Sequence, residues 1–419
     1  MLKCYFKLVI CNSFVINSEC FVEKIIMIQK GNMNNPMIIG NATLYNEDCR
    51  KVLALLPDNS VDSIVTDPPY ELGFMGKSWD STGIAYDIAM WKDALRVLKP
   101  GGHLLAFSGS RTYHRMASAI EDAGFDVRDN IARFYSGKKD KDAFLNSLSD
   151  EQIELFLTAF GAPSMLEWVY GSGFPKSRNL EGDFEGWGTA LKPAHEPICM
   201  ARKPLSQTVA ANVLEFGTGA INIDACRTSA GRWRANLIHD GSAEVLAAFP
   251  NAKGAQSDVK ETDKCRPSNG KFGDMNPPHA HSARIETDKS AARFFYCAKA
   301  SSSERDEGIE KLQKNPAGIK NDSGRGYSEI DPMKEILRAN HHPTVKPVEV
   351  GAYFQRLVTP PGGTTLDMFM GSGSFGVSAI LEGFNYIGID NDTEHGYFNI
   401  STNRISYAVY TPKQQKMFA

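Results

Sequence analysis

The strongest indication of the fold is TTLDMFMGSGSFGVSAILEGFNYIGID, residues 364–390. It reads as a strand, a glycine turn that opens a helix, and a second strand that ends in Asp390. Gly371, Gly373 and Gly376 have G-x-G-x-x-G spacing, which lets a backbone approach a ligand closely. An acid at the end of the following strand can bind the two hydroxyls of a ribose. The stretch therefore predicts a parallel α/β unit that binds an adenosine cofactor or a dinucleotide.

The same alternation of strands and helices continues on both sides of a long middle segment. Residues 37–135 read as strands separated by helices, and the rhythm returns over residues 340–408. Strands joined in this way predict a parallel sheet covered on both faces. Much of residues 136–339 is rich in Gly, Pro, Ser, Asn and charge, which predicts an irregular, loop-rich insert. We expect one split α/β domain, with an extension outside the fold at residues 1–36 and a tail at residues 409–419.

Composition and charge exclude several classes of protein. Of the 419 residues, 42% are hydrophobic and the net charge is −3, so the chain can bury a large core but has no strongly basic overall field. The eight cysteines form no C-x-x-C pair, which favours a reducing cytoplasm. The apolar start of the extension is too short and too polar to span a membrane. Cys265, His279, His281 and Cys297 lack the tight spacing of zinc ligands, so we expect no metal.

A second motif, VTDPPYELGF at residues 65–74, closes a strand-like run. Two consecutive prolines fix φ and give up their N–H groups, so the chain leaves the sheet in a rigid corner. The Asp67 carboxylate and the Pro68 carbonyl can accept the two hydrogens of an exocyclic amine and aim its lone pair at a methyl donor. Tyr70 offers a ring on which a base flipped out of a duplex can stack. A proline-rich turn with a capping Asp is the alternative, and the presence of the glycine loop disfavours it.

At these residues the chain resembles the beta group of DNA amino-methyltransferases, in which the DPPY block precedes the cofactor glycine loop. DPPY stands here at residues 67–70 and the F-x-G-x-G block at residues 369–373. HPTVKP, residues 342–347, matches the segment that leads into the cofactor loop of that family. LYNEDC, residues 44–49, resembles its G-D-C segment, with Glu47 in place of the glycine.

The resemblance implies a Rossmann-like, S-adenosylmethionine-dependent methyltransferase sheet. Its motif order would be circularly permuted, with a large inserted target-recognition region. It implies a site-specific enzyme that methylates the N6 amine of an adenine flipped out of double-stranded DNA. GSGFPKS (residues 171–177) and KPAHEPI (residues 192–198) also resemble phage and prophage members, so we expect the cytoplasm of a bacterial cell or phage-infected host. The sequence does not decide whether the protein forms a homodimer or whether it has a restriction endonuclease partner.

The resemblance also implies roles for individual residues. The target amine would be surrounded by Asp67, Pro68, Pro69 and Tyr70. The cofactor would be bound by Asp48, Cys49, Thr344, Lys346, Asp367, Phe369, Gly371, Gly373 and Asp390. Among these, the first two are expected near the adenine, and Thr344 and Lys346 near the methionine end. Phe375 stands where family members often carry a hydroxyl residue.

Contacts with DNA would require basic side chains near aromatic ones in the insert, mostly to hold phosphates. The candidates are Lys176, Arg178, Arg202, Lys203, Arg227, Arg232 and Arg234. A solvated surface charge is the alternative for each of them singly. Binding through such residues is expected to weaken as salt rises.

Three other functions are also compatible with the sequence. The same chemistry on cytosine N4 is the nearest, although DPPY favours adenine and S-P-P-Y is more typical of cytosine. An NAD-binding oxidoreductase has the support of the glycine spacing and Asp390 alone. A catalytically silent DNA-binding protein would not need an intact DPPY. The preferred function requires that DPPY and the glycine loop meet at adjacent carboxyl ends of one sheet.

Overall fold

The computed structural model describes eleven stretches of the chain. They are residues 36–73, 77–127, 165–169, 185, 195–227, 236–250, 290–294, 296–297, 303–320, 334–392 and 394–411. The predicted N-terminal extension therefore lies outside the described residues, except for Pro36.

Thirteen strands and eight α-helices lie in these stretches. The strands are β1 Met37–Ile39, β2 Ala42–Asn46, β3 Val61–Thr66, β4 Leu98–Phe107, β5 Asp126–Val127, β6 Met165–Val169, β7 His195–Arg202, β8 Leu237–His239, β9 Tyr296–Cys297, β10 Asn315–Lys320, β11 Lys334–Arg338, β12 Thr364–Asp367 and β13 Asn385–Asp390. The helices are α1 Cys49–Leu55, α2 Ile88–Val97, α3 Tyr113–Asp122, α4 Val209–Phe216, α5 Ala243–Ala248, α6 Val348–Val358, α7 Ser374–Leu381 and α8 Tyr397–Tyr410.

Eleven of these strands form one sheet in the order β1-β2-β13-β12-β3-β4-β7-β6-β8-β9, with β5 paired to β7. The five consecutive strands β2, β13, β12, β3 and β4 are mutually parallel. Strand β12, from near the end of the chain, lies between β13 and β3. The predicted parallel α/β sheet is confirmed, with its two halves interleaved as a permuted motif order requires.

Side-chain alternation along β4 divides the core into two layers, one on each face of the sheet. Leu105 and Phe107 pack in the layer that α6 and α7 cover, together with Phe354. Leu104 packs in the opposite layer, which is built around the fully buried Trp91 of α2. Because successive residues of a strand point to opposite faces, one apolar strand supplies both layers.

Part of the predicted insert, residues 136–339, belongs to the sheet. Four of its segments, β6 to β9, extend the sheet beyond β4. Strand β7 is antiparallel to β4, with Ile198 opposite Phe107, and its central residues are buried. The expectation of an irregular loop region is therefore corrected for these strands, because apolar runs such as Ile198–Ala201 pair with the open edge of β4. Among the helices of the described part, none is long and apolar enough to cross a bilayer.

Candidate active site

The DPPY corner and the glycine loop begin side by side. Strand β3 runs parallel to β12, with Ile64 opposite Leu366, so both strands end at the same edge of the sheet. The hydroxyl of Thr66 donates to Asp367 Oδ1 over 2.8 Å, and the amide of Met368 donates back to that hydroxyl over 3.2 Å. The two motifs therefore meet at adjacent strand ends, as the sequence required.

A cavity of about 1170 Å³ lies at this edge of the sheet. All four DPPY residues line it, together with residues of the glycine loop and Asp390. Ligand pockets typically measure roughly 300–1,000 Å³, so this cavity is large for a single small molecule. It has room for a nucleoside cofactor and a base at the same time.

The two expected cofactor glycines have different positions. Gly371 has a φ of +52° and lines the cavity. Gly373 has a φ of +76° and precedes the first residue of α7. A Cβ on Gly373 would lie 2.8 Å from the Cβ of Ser401, so this glycine allows α7 to pack against α8. Gly373 was expected at the cofactor; it is buried and does not itself line the cavity, and the contact that the structure shows for it is with α8.

Arg404 of α8 holds the glycine loop from behind. Its guanidinium donates from Nη1 to the carbonyl of Ser372 over 2.7 Å and to Ser374 Oγ over 3.1 Å. Burial lowers the pKa of this guanidinium to about 10, which still leaves it charged at neutral pH. The sequence offered no signal for this residue, since it lies in the last helix, 32 positions from Ser372.

Phe375 is part of the core rather than of a hydrogen-bonding surface. Its ring stacks on Phe107, with ring centroids 5.6 Å apart. A Cβ on Gly351 of α6 would lie 2.7 Å from Phe375 Cδ1, so the absence of a side chain at Gly351 makes room for the ring. Helix α6 thus makes room for a phenylalanine at a position where family members often carry a hydroxyl residue.

The acid at the end of β13 faces the glycine loop. Asp390 Oδ2 accepts a hydrogen bond from the Gly371 amide over 2.6 Å. Burial raises the pKa of this carboxyl to about 8. The one hydrogen bond that this carboxyl accepts from the described residues is to Oδ2, which leaves Oδ1 without one. This oxygen could therefore accept a hydrogen bond from a hydroxyl group in the cavity.

Asp367 was expected to bind the cofactor, but the contacts of its carboxyl are with other groups of the protein. Although it lines the cavity, its carboxyl accepts bonds from Thr66, from the Phe369 amide over 3.1 Å and from the Tyr386 hydroxyl over 3.1 Å. Burial raises the pKa of Asp367 to about 7. With both oxygens occupied, Asp367 chiefly joins β12 to β3 and β13.

The remaining cofactor candidates stand along the cavity wall: Asp48, Cys49, Thr344 and Phe369. Asp48 caps α1 by accepting from the Arg50 amide over 2.9 Å and also pairs with the Arg50 side chain. Burial raises the pKa of the Cys49 thiol to about 12, so it stays protonated and is no nucleophile.

The DPPY acid lies in a cluster of charged groups that sequence reasoning found only in part. Lys346 Nζ donates to Asp67 Oδ2 over 2.8 Å and to the Tyr70 hydroxyl over 3.0 Å. The same ammonium lies 3.4 Å from Glu196 Oε2, which belongs to β7. Lys346 was expected at the methionine end of the cofactor; the hydrogen bonds of its ammonium go to the DPPY acid and to Tyr70. Glu196 was missed, although KPAHEPI had drawn attention to its segment.

Two opposing effects act on the charges of this cluster. Burial raises the pKa of Asp67, and the neighbouring Glu196 adds to the rise, whereas the Lys346 charge opposes it. Burial lowers the pKa of Lys346, but the two carboxylates outweigh this effect and keep it above its usual value. Asp67 Oδ1 is buried and accepts no hydrogen bond from the described residues. A buried acceptor without a donor is unfavourable, so a donor brought by a ligand would be stabilised here.

The candidate DNA contacts fall into three groups. Arg227 is partly exposed and pairs with Asp224 over 2.6 Å. Arg202 and Lys203 lie at the opposite edge of the sheet from the cavity, where Lys203 Nζ donates to the carbonyl of Leu98 over 2.7 Å. The others, Lys176, Arg178, Arg232 and Arg234, lie outside the described residues. Arg111, an exposed residue of the cavity wall, was missed because it follows β4 rather than lying in the insert.

The cavity residues fit a cationic nucleoside cofactor. Carboxylates outnumber Lys and Arg in the lining, and a sulfonium group carries a positive charge. Gly371 opens the backbone on one side of the cavity, and Asp390 offers an acceptor at the strand end. Within the described ranges, no group of three or more His, Cys, Asp or Glu could hold a metal ion. Of the residues weighed as zinc ligands, Cys265, His279 and His281 lie outside these ranges.

Comparisons with known proteins match the greater part of the chain. The family model N6_N4_Mtase, described as DNA methylase, matches residues 61–402. The protein named "Putative methylase YubD" of Escherichia coli (strain K12) is 36% identical over 85 residues, which are 19% of this chain and 37% of that protein. The Type II methyltransferase M.BamHI of Bacillus amyloliquefaciens is 35% identical over 71 residues, 16% of this chain and 17% of that protein.

The matched segment thus spans less than two fifths of either curated relative. Among solved structures, the PvuII DNA methyltransferase (cytosine-N4-specific) is similar with a TM-score of 0.43 and 14% identity, over 87% of this chain and 86% of that one.

Proposed function

Because the chain belongs to the N6_N4_Mtase family of DNA methylases, we propose that it is a site-specific DNA methyltransferase acting on the N6 amine of adenine. The observation that carries the proposal is the position of Asp67. Its Oδ1 is a buried acceptor without a donor among the described residues, in the wall of the cavity that Gly371 and Asp390 also line. A methyl acceptor with an exocyclic amine and a nucleoside cofactor would be held together there.

The cofactor of this family is S-adenosylmethionine, which supplies the methyl group as an electrophile. Asp390 would accept hydrogen bonds from the ribose hydroxyls, because one of its oxygens is available in the cavity. The Gly371 backbone would lie against the methionine part. Asp48 and Cys49 line the wall beside α1, where the adenine is expected.

The chain's own residues would act by positioning. The amine of a base has a lone pair delocalised into its ring, so it is a poor nucleophile. Asp67 Oδ1 and the Pro68 carbonyl would accept its two hydrogens and favour a tetrahedral nitrogen. Asp67 would hold one of these hydrogens at Oδ1 as positive charge develops on the nitrogen. Tyr70 would supply a ring face to the base.

Reaching such a base in double-stranded DNA requires flipping it out of the stack, at a cost of a few kcal/mol. Arg111 at the cavity wall and Arg227 in the inserted region are described basic residues that could hold the flanking phosphates. We expect binding to duplex DNA to weaken as salt rises, because phosphate contacts release counterions. Reading of the recognition sequence is assigned to the inserted region, residues 136–339.

Cytosine N4 is the second candidate target, because the name of the matched family covers both amines. Both bases present an exocyclic amine to the same pair of acceptors. The sequence favours adenine through the Asp at the first position of DPPY. The match to a DNA methylase family removes the support for an NAD-binding oxidoreductase.

One experiment tests the proposal directly. The gene would be expressed in a host that lacks DNA methylation, and modified bases would be mapped at single-base resolution. We expect N6-methyladenine at one short recurrent sequence with wild-type protein and none with Asp67→Ala. Asp58→Ala is the matched control, because Asp58 is an exposed acid that pairs with Arg96 outside the cavity. Methylation of cytosine N4 would overturn the adenine assignment, and absence of any methylation with folded wild-type protein would overturn the function.

A further inference from the structure

Glu196 reaches the cavity because its strand, β7, runs antiparallel to β4. Strand β7 is antiparallel to β4, so its first residues arrive at the carboxyl ends of β3 and β4. The Ser108 amide donates to the carbonyl of Pro197 over 3.0 Å, which fixes this start of β7 beside the end of β4. An acid at the second position of β7 is therefore set into the cavity wall next to the DPPY corner.

The ammonium of Lys346 has three N–H donors, and three acceptors surround it. Asp67 Oδ2 lies at 2.8 Å, the Tyr70 hydroxyl at 3.0 Å and Glu196 Oε2 at 3.4 Å. Glu196 Oε2 is buried, and the Glu196 carboxylate also interacts with the Tyr70 hydroxyl. Lys346 is 6% exposed and lies above the rings of Tyr70 and Phe107, 5.1 Å from each centroid. These contacts fix the position of the Lys346 side chain.

This arrangement decides which oxygen of Asp67 remains for the substrate. Lys346 occupies Oδ2, so Oδ1 is left without a donor. Without Glu196, the single positive charge of Lys346 would be neutralised by Asp67 alone, and the Asp67 carboxylate would be a weaker acceptor for an amine. With Glu196 present, two carboxylates share one ammonium.

We propose that Glu196 is a positioning residue for methyl transfer: it anchors Lys346, which holds Asp67 Oδ2 and leaves Asp67 Oδ1 to accept the target amine. The inference rests on the proposed function and adds to it a residue of the inserted region. Glu196 acts through Lys346 and needs no contact with the base or the cofactor.

The test compares two variants that separate charge from position. Glu196→Gln keeps the size of the side chain and removes its charge, and Glu196→Asp keeps the charge and shortens the side chain. We expect kcat to fall about tenfold or more in both, with the Kd for S-adenosylmethionine unchanged within about twofold by calorimetry. Unchanged cofactor binding would also show that each variant is folded.

The pH dependence of kcat/KM is a second measurement, because it would not change if Glu196 had only a structural role. The charged or titratable groups that act on Asp67 are Lys346, Glu196 and Tyr70, with Asp367 in the adjacent strand. Because the Glu196 charge raises the pKa of Asp67, Glu196→Gln should shift the acid limb of the profile to lower pH. Glu196→Asp should leave the limb near its wild-type position.

Glu382→Gln is the matched control, because the Glu382 side chain is also largely buried and pairs with Arg356, and neither residue lines the cavity. It should lower stability without moving the acid limb. A wild-type kcat and a wild-type profile in Glu196→Gln would overturn the inference while the enzyme stays active. If Glu196→Gln does not fold, an acid limb in Glu196→Asp that moves by a pH unit or more would overturn it. Failure of the proposed function would instead appear as absence of methyl transfer in wild type.

Discussion

The hydroxyl of Thr66 donates a 2.8 Å hydrogen bond to Asp367 Oδ1 across 301 positions of sequence. Both residues are buried at the carboxyl ends of neighbouring parallel strands. The bond joins the strand that leads into DPPY to the strand that leads into the glycine loop. It therefore sets the relative position of the two motifs that the proposed chemistry brings together.

Thr66→Val should lower the free energy of unfolding by about 1–3 kcal/mol, because the buried Asp367 carboxyl loses a donor. Chemical denaturation would measure the change. Thr365→Val is the control, since Thr365 is equally buried and its hydroxyl has no partner within the described residues. That variant should be neutral or stabilising, because it removes a buried unpaired oxygen. Equal losses in both variants would contradict the role given to the Thr66 hydroxyl.

Gly373→Ala should destabilise the protein more than Gly383→Ala does. Both glycines have positive φ, +76° and +79°, so each substitution carries a backbone cost of roughly 1–2 kcal/mol. A Cβ at Gly383 meets nothing within 4 Å, whereas a Cβ at Gly373 meets Ser401 at 2.8 Å. The additional loss in Gly373→Ala, about 1–3 kcal/mol, would report the steric contact between α7 and α8. Thermal or denaturant unfolding of the two variants side by side would measure it.

Affinity for S-adenosylmethionine should increase from pH 6 to pH 9. Burial raises the pKa of Asp390 to about 8, so the carboxyl is mostly protonated at pH 6 and mostly ionised at pH 9. Ribose hydroxyls donate best to the ionised form, so binding should tighten several-fold and release a proton. Calorimetry in buffers of different ionisation enthalpy would measure both quantities. Asp390→Asn should bind weakly at every pH, and an equally steep dependence in that variant would refute the assignment.

The ligand-free protein should lose stability as pH rises from about 4 to about 8. The pKa values of Asp390 and Asp367 are raised to about 8 and about 7, above the value of about 3.9 in an unfolded chain. Between about pH 4 and pH 8 the folded state then binds more protons than the unfolded state. The stability that both carboxyl groups contribute is therefore fully present at the lower pH and is lost as the pH rises through this range. Thermal unfolding as a function of pH would test this, with a smaller slope expected in Asp390→Asn. A slope unchanged by that substitution would show that Asp390 is not the group responsible.

Arg404→Lys should weaken S-adenosylmethionine binding by about tenfold, as expected when a loop loses hydrogen bonds worth roughly 1–1.5 kcal/mol. The guanidinium reaches both Ser372 O and Ser374 Oγ from one side chain, and a lysine cannot match this geometry. Asn403→Ala is the control, because Asn403 is on the same helix and bonds only to Asn399 in the described part of the chain. Unaltered cofactor affinity in Arg404→Lys, measured by calorimetry, would rule out this support of the loop.

Local patterns in the sequence predicted the parallel core of this protein. Alternating strands and helices predicted β3, β12 and β13, because burial on both faces requires apolar strands flanked by amphipathic helices. Two prolines after β3 and glycines after β12 marked where each strand leaves the sheet. The position of Asp390 followed for the same reason, since the end of a strand is a local property of the chain.

The contacts of the site residues with one another depend on the tertiary structure. Lys346 meets Asp67 across 279 positions, and Glu196 joins them because β7 runs antiparallel to β4. The packing role of Gly373 depends on a similar long-range contact, since Ser401 approaches it from a different helix. Sequence alone predicted the parallel strands at the centre of the sheet and where they end, because periodicity and backbone conformation act over a few residues; it did not predict β6 to β9. The charged cluster around Asp67 depends on strand order and direction, which are set by packing between segments hundreds of residues apart.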